Sequence, residues 1–128
     1  MLKTIKSEQY LHNSCQKIVK IDKKIRFVGV VNEKGRLVTG AVKNKIKFLV
    51  DEKDREMLFM EVALRTRMRR EFDHYFGPSN FCISHRENVI IMKFPIGNET
   101  FYISAEKGIA LNKIPFQILE VLKKINHN

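Results

Sequence analysis

The chain has 128 residues, of which 44% are apolar, and a formal net charge of +10. This length and composition predict one globular domain, residues 1–128, with a core of ordinary size, and argue against a disordered chain. No apolar run approaches the roughly 18 residues of a membrane span, and the N-terminus lacks the apolar stretch of a secretory signal. We therefore predict a cytoplasmic protein that does not associate with membranes.

The two cysteines, Cys15 and Cys82, lie far apart in the sequence and have no partner motif. They are too few for a disulfide framework, and neither belongs to the paired CxxC spacing of a zinc site. We predict that both are buried free thiols, which fits a reducing compartment.

The positive charge is concentrated in the first 50 residues, where Lys and Arg exceed Asp and Glu by nine. A basic half of this kind is typical of a surface that contacts phosphates. The candidate contacts are Lys17, Lys20, Lys24, Lys43, Lys45 and Lys47. No exposed aromatic residues are expected among them for base stacking. A nucleic-acid-associated regulator is therefore an alternative to the simpler interpretation that the charge keeps the protein soluble.

The first half of the chain predicts a helix followed by a β-hairpin. Apolar residues recur at helical spacing over residues 7–20. Residues 25–31 are almost continuously apolar and rich in β-branched side chains, which predicts a central strand. Gly29 in that strand indicates close approach by another element. A turn at residues 32–35 then leads to a second strand over residues 36–40.

The second half predicts a long helix, three strands and a final helix. Acidic residues at positions 51–56 favour a helix start, and Gly77 followed by Pro78 ends that helix near Phe76. Three short apolar segments separated by turn residues predict strands at residues 81–84, 89–94 and 100–105. The last helix begins near Ile114.

The resulting order, α-β-β-α-β-β-β-α, predicts an α+β domain with a single five-stranded antiparallel sheet. The order resembles the roadblock (dynein light chain) fold, a relative of profilin and longin domains. It is also similar to sensor domains of the PAS and GAF type, but the long uninterrupted helix favours roadblock. The resemblance implies a non-enzymatic adaptor that homodimerises and binds a protein partner. The PAS and GAF resemblance implies a small-ligand sensor instead.

Four stretches also resemble a small uncharacterised family of ammonia-oxidising (thaumarchaeal) archaea. They are residues 25–32, 51–53, 57–60 and 67–73. This resemblance implies an archaeal source and carries no mechanism.

No motif indicates catalysis, a metal or a cofactor. The chain has no glycine-rich nucleotide loop and no HExxH. Cys82 and His85 are only two potential ligands, and the reactive side chains of residues 84–87 alternate in direction too much to form a triad. The acidic residues at 51–56 lack EF-hand spacing. We therefore predict that the protein is not an enzyme and holds no cofactor.

The predicted core lies between the sheet and the long helix. Its sheet members are Phe27, Val28, Val30, Val31, Leu37, Ile91, Phe94, Tyr102 and Ile103. Six residues within about 60° of one helix line are assigned to the sheet side. These are Met57, Met60, Leu64, Met68, Phe72 and Tyr75, of which Met60, Leu64 and Phe72 are predicted to pack over the sheet core.

Four more apolar residues lie beside or opposite that helix line: Leu58, Phe59, Val62 and Ala63. One sheet covers only one side of a helix, so these four predict an exposed patch. We predict that the patch is the interface of a homodimer, with Phe59 as its anchor. The alternative is that the connection at residues 43–50 folds over them.

Overall fold

A five-stranded antiparallel sheet forms the middle of the protein. The computed structural model describes residues 8–43 and 49–126. Its helices are α1 (Glu8–Val19), α2 (Glu52–Arg70), α3 (Asp73–Phe76) and α4 (Ile114–Asn126). Its strands are β1 (Ile25–Val31), β2 (Leu37–Val42), β3 (Cys82–His85), β4 (Ile90–Ile96) and β5 (Glu99–Ala105). The strands lie side by side in the order β2-β1-β5-β4-β3, and the predicted fold class is confirmed.

Most predicted strands lie close to their observed positions, and β1 has the predicted bounds. β4 continues through Pro95 to Ile96, where a turn was predicted. Proline is tolerated there because β3 begins at Cys82, opposite Lys93, and does not extend alongside Pro95. Pro95 therefore has a neighbouring strand on one side only. The turn itself shortens to two residues and contains Gly97 with a φ of 59°, as tight hairpins require.

The predicted continuous helix to Phe76 is interrupted after Arg70. The amides of Glu71 and Phe72 donate to carbonyls three residues earlier, so the last turn of α2 tightens. Phe72 then leaves the helical region with a ψ of 6°, and α3 begins. Gly77, with a φ of 81°, ends α3 and confirms the predicted stop signal.

α1 and α4 pack on one face of the sheet and seal the larger core. The largest fully buried side chains of this core include Leu11, Ile18, Met92, Phe94, Phe101 and Leu122. The Cys15 thiol is buried among them, as predicted, and burial raises its pKa to about 12. Cys82 is only half-buried. Within the described residues, no helix is both long and apolar enough to cross a membrane.

α2 packs on the other face, over β1 and β5. The smaller core there contains Phe27, Val31, Phe59, Val62, Val89, Ile91 and Tyr102. The predicted sheet-core residues are buried except for Leu37, which is 44% exposed. Four of them belong to the larger core on the other face instead: Val28, Val30, Phe94 and Ile103. A Cβ at Gly29 would lie 2.6 Å from the ring of Phe27 and 2.8 Å from the side chain of Leu37. Side chains of the sheet itself therefore fill the space that Gly29 leaves.

The β1–β2 turn fixes the middle of α2. The Asn32 side-chain oxygen accepts hydrogen bonds from the amides of Lys34 and Arg36, at 2.9 and 3.0 Å. Gly35 has a φ of 80°, and a Cβ at this position would lie 2.7 Å from the Cα of Met60. The turn backbone therefore packs directly against the helix backbone, which only glycine permits.

Candidate functional site

α2 presents to the sheet the side opposite to the one predicted. Phe59 and Val62 are 7% and 0% exposed, and Leu58 packs against them. Ala63 is half-buried. The residues predicted to face the sheet are exposed instead: Met57, Met60, Leu64, Met68, Phe72 and Tyr75. The predicted dimer interface at Leu58, Phe59, Val62 and Ala63 is therefore wrong, because its anchors belong to the core of this chain.

Specific contacts explain which side of α2 is buried. The ring of Phe59 meets the ring of Tyr102 edge-on, with 5.6 Å between centroids and an interplanar angle of 83°. Two turns further along, the hydroxyl of Thr66 lies 3.1 Å from that of Thr100 in a buried hydrogen bond. Both contacts join complementary partners, so they favour this side over a side that is merely more apolar.

The opposite side of α2 carries a row of exposed apolar residues, which we call the outer stripe. Its members are Met57, Met60, Leu64, Met68 and Phe72, each between 53% and 72% exposed. Leu64, Met68 and Phe72 line a shallow groove. An ion pair of 3.2 Å between Glu61 and Arg65 borders the stripe. Contiguous exposed apolar residues with a polar rim are typical of a protein interaction surface.

Charge is divided between the two ends of α2. The first turn carries Glu52 and Asp54, and the last turn carries Arg67, Arg69 and Arg70. Acids at a helix N-terminus and bases at its C-terminus also complement the helix dipole. The guanidinium of Arg70 donates a hydrogen bond to the carbonyl of Gly97, so this end of the helix is tied to the β4–β5 turn.

A cavity of about 390 Å³, which we call the α2 cavity, lies between the first half of α2 and the sheet. Its floor is formed by buried apolar and aromatic side chains: Phe27, Phe59, Val62, Val89, Ile91 and Tyr102. Five charged residues also line it: Arg26, Arg55, Glu61, Arg86 and Lys93. The cavity thus combines an apolar interior with a strongly cationic rim.

The sheet backbone helps to collect these cations. The β1–β5 register shifts between Ile25 and Phe27, so Arg26 lies within a β-bulge. Such a bulge changes the direction of a side chain, and Arg26 lines the cavity beside Phe27. Ser104 pairs with Phe27 and lines the cavity as a small, half-buried residue. The space exists because a small side chain stands where a large one would fill it.

The pKa shifts describe the same environment. Burial raises the pKa of Tyr102 to about 12, and the positive charge of Arg86 acts against this rise. Burial also lowers the pKa of Lys93, the neighbouring Arg69 lowers it further, and Glu61 acts in the opposite direction. Positive groups are therefore crowded around one carboxylate at this side of the sheet.

The cationic residues of the cavity were missed by the sequence reasoning. Arg26, Arg55, Arg86 and Lys93 come from four separate elements or turns, so no local motif unites them. A signal was present in Ser84 and Ser104, which are small polar residues at strand positions facing α2. Small residues there leave room between the sheet and the helix.

Part of the predicted lysine surface is described by the structure. Lys17 and Lys20 are exposed at the end of α1. The ammonium of Lys43 donates to the carbonyl of Asp22 at 3.2 Å, so it lies beside the turn that contains Lys24. Lys45 and Lys47 lie outside the described residues. Phosphate binding by these lysines stays a prediction.

The weak chemical motifs are not assembled into a site. Cys82 and His85 stand three positions apart on β3, so they point to opposite faces of the sheet. Ser84 lines the α2 cavity, and His85 does not. Across residues 8–43 and 49–126, no group of three or more His, Cys, Asp or Glu side chains is arranged to hold a metal ion.

Comparisons with known proteins agree on the fold. Residues 3–128 match a family described as "Family of unknown function (DUF6659)". Myxococcus xanthus MglB has a similar structure, with a TM-score of 0.74 and 12% identity over 94% of this chain and 88% of that one. A Roadblock/LC7 domain from Streptomyces avermitilis has a TM-score of 0.68 and 7% identity, over 89% of this chain and 92% of that one. LokiProfilin1, in a complex with rabbit actin, has a TM-score of 0.53 and 11% identity, over 94% of this chain and 96% of that one. No curated protein matches the sequence significantly.

Proposed function

Since the chain belongs to the family of unknown function DUF6659 and has a roadblock-like fold, we propose that it is a non-enzymatic interaction module that homodimerises through α2. The outer stripe is the observation that carries this proposal. Methionine is enriched at interfaces between proteins because its flexible side chain adapts to a partner surface. Three of the five stripe residues are methionines.

The charge pattern of α2 favours a second copy as the occupant of the stripe. When the twofold axis is perpendicular to α2, the two helices run antiparallel and the same surface meets itself. With the axis at the level of residue 62, helical geometry places Met60 of one copy opposite Leu64 of the other. The same register places Lys53 opposite Glu71, both of which are exposed. Residues 51–56, which carry four acids and two bases, then face the end of the partner helix that carries Arg69 and Arg70.

The test is the oligomeric state at defined concentration. We expect wild-type protein to be dimeric at micromolar concentration in analytical ultracentrifugation, and Leu64→Glu to be a folded monomer. Val42→Glu is the matched control, because Val42 is 46% exposed but lies on the edge strand β2. A wild-type protein that stays monomeric at high micromolar concentration would reject the homodimer.

A charge exchange tests the antiparallel register. Lys53→Glu places like charges opposite each other and is expected to weaken the dimer by a few-fold, in line with the roughly 0.2–1 kcal/mol of exposed ion pairs. Adding Glu71→Lys to this variant is expected to restore the wild-type dissociation constant. If the double variant is as weak as the two single changes combined, the helices do not pair in this register.

A further inference from the structure

The α2 cavity is a second feature of the molecule and is separate from the outer stripe. It lies under α2, whereas the stripe lies on the outward side of the same helix, and Glu61 borders both. Its volume of about 390 Å³ falls within the range of roughly 300–1,000 Å³ that small-molecule sites occupy.

The floor of the cavity is suited to a flat or aliphatic group. Phe27, Phe59 and Tyr102 bring three aromatic rings to it, with 5.6 Å between the centroids of Phe59 and Tyr102 and 6.3 Å between those of Phe27 and Tyr102. All three residues are buried in the protein yet border the space. An apolar guest would therefore gain contacts with surfaces that are already shielded from bulk water.

The rim of the cavity is suited to an anion. Among the residues that the structure describes, three arginines and one lysine line it, together with the carboxylate of Glu61. Arg26 and Arg55 are half-buried, and Arg86 is exposed at the mouth beside Tyr102. A guanidinium group binds a carboxylate or sulfonate through two parallel hydrogen bonds, and this fixed geometry makes the recognition specific. An inorganic anion alone would leave the aromatic floor uncovered.

We propose that the α2 cavity binds a small organic acid, with an aromatic or aliphatic body on the floor formed by Phe27, Phe59 and Tyr102 and an anionic head at Arg26, Arg55 and Arg86. The cationic groups then act on the head and the aromatic rings on the body. Neither part of the site accounts for binding without the other. This inference is independent of the proposed homodimer, which uses the opposite side of α2.

The first experiment compares two fluorescent probes that share a ring system. 8-Anilinonaphthalene-1-sulfonate carries an anionic head, and N-phenyl-1-naphthylamine is the same molecule without it. We expect the sulfonate to bind at one site per chain and at least tenfold more tightly than the uncharged probe. 1-Naphthoate, which carries a carboxylate, is expected to compete with the sulfonate. Equal binding of the charged and uncharged probes would overturn the proposal.

The second experiment locates the probe. Arg86→Gln is expected to weaken sulfonate binding by roughly tenfold, the usual effect of losing one hydrogen bond to a charged group. Arg36→Gln, in the β1–β2 turn, is the matched control and is expected to leave binding unchanged. The measurements are made on Leu64→Glu protein as well, so that binding to the outer stripe is recognised by its loss in that variant. Binding that is lost with Leu64→Glu but unaffected by Arg86→Gln would place the probe on the stripe and overturn the proposal.

The third experiment fills the cavity. Ser104 and Ser84 both line it and are half-buried. Ser104→Phe is expected to abolish sulfonate binding while the circular dichroism spectrum stays that of the wild type. If Ser104→Phe does not fold, Ser84→Leu on the edge strand β3 serves the same purpose and is expected to reduce binding at least tenfold. Full binding in a folded, filled variant would refute the site.

Discussion

Replacing Phe59 and Phe72 separately by alanine tests which side of α2 belongs to the core. Phe59 is 7% exposed and meets Tyr102 edge-on, whereas Phe72 is 54% exposed. Removal of a buried phenylalanine ring costs roughly 3–5 kcal/mol. Phe59 already borders the α2 cavity, so fewer contacts are lost than at a fully packed site, and we expect a value near the lower end, about 3 kcal/mol. Phe72→Ala is expected to cost less than about 1 kcal/mol.

Both substitutions are best measured by thermal and urea unfolding in the Leu64→Glu background, where contacts between copies are removed. For a chain of this length, about 3 kcal/mol corresponds to a fall in Tm of roughly 10–15 °C. The corresponding change for Phe72→Ala is expected to stay below roughly 5 °C. Equal losses at the two positions, or a larger loss at Phe72, would refute the assignment of the buried side.

Three further predictions concern single contacts. Thr66→Val leaves the buried hydroxyl of Thr100 without its partner and is expected to lower the free energy of unfolding by about 1–3 kcal/mol. The double variant Thr66→Val with Thr100→Val is expected to lose less than this single change. Strictly additive losses in unfolding free energy would contradict the hydrogen bond. The unfolded chain loses the Cys15 proton above its ordinary pKa of 9.0, but the folded chain retains it to about pH 12. The contribution of Cys15 to stability is therefore expected to be fully present below pH 9 and to be lost as the pH rises from 9 to 12, so that the fall is shallower in Cys15→Ala. Identical alkaline unfolding curves for the two proteins would contradict the buried thiol. Gly35→Ala is expected to destabilise the protein by at least about 1–2 kcal/mol, because its φ is positive and its new methyl group meets Met60; an unchanged urea midpoint would show that the turn does not press on α2.

The fold could be predicted from the sequence because its strongest signals are local. Residues 25–31 combine β-branched side chains with flanking turn residues, and they form β1 with the predicted bounds. Gly77 and Pro78 likewise predicted the end of the helical segment. The break after Arg70 was not predicted, because it depends on the conformation of Phe72 and carries no proline or glycine.

The side of α2 that faces the sheet could not be predicted by counting apolar residues. Apolar side chains lie on both sides of this helix, so periodicity alone does not decide between them. The decision rests on partners that are distant in sequence, such as Tyr102 for Phe59 and Thr100 for Thr66. The cationic rim of the α2 cavity was missed for the same reason, since the topology of the sheet brings its residues together. The archaeal origin and the phosphate-binding lysines stay predictions.

The two faces of the sheet are closed unequally, and this difference sets how the native state opens. Two helices, α1 and α4, seal one face with a large apolar core, whereas α2 packs over a smaller core and a cavity on the other face. The free energy of local opening follows the number of buried apolar contacts that are broken. Amide hydrogens of α2 should therefore exchange with solvent through partial unfolding, while those of β1, β4 and β5 exchange only when the whole chain unfolds. We therefore expect that lifting α2 from the sheet costs less free energy than opening the face under α1 and α4, and that an occupant on either side of α2 would suppress this motion.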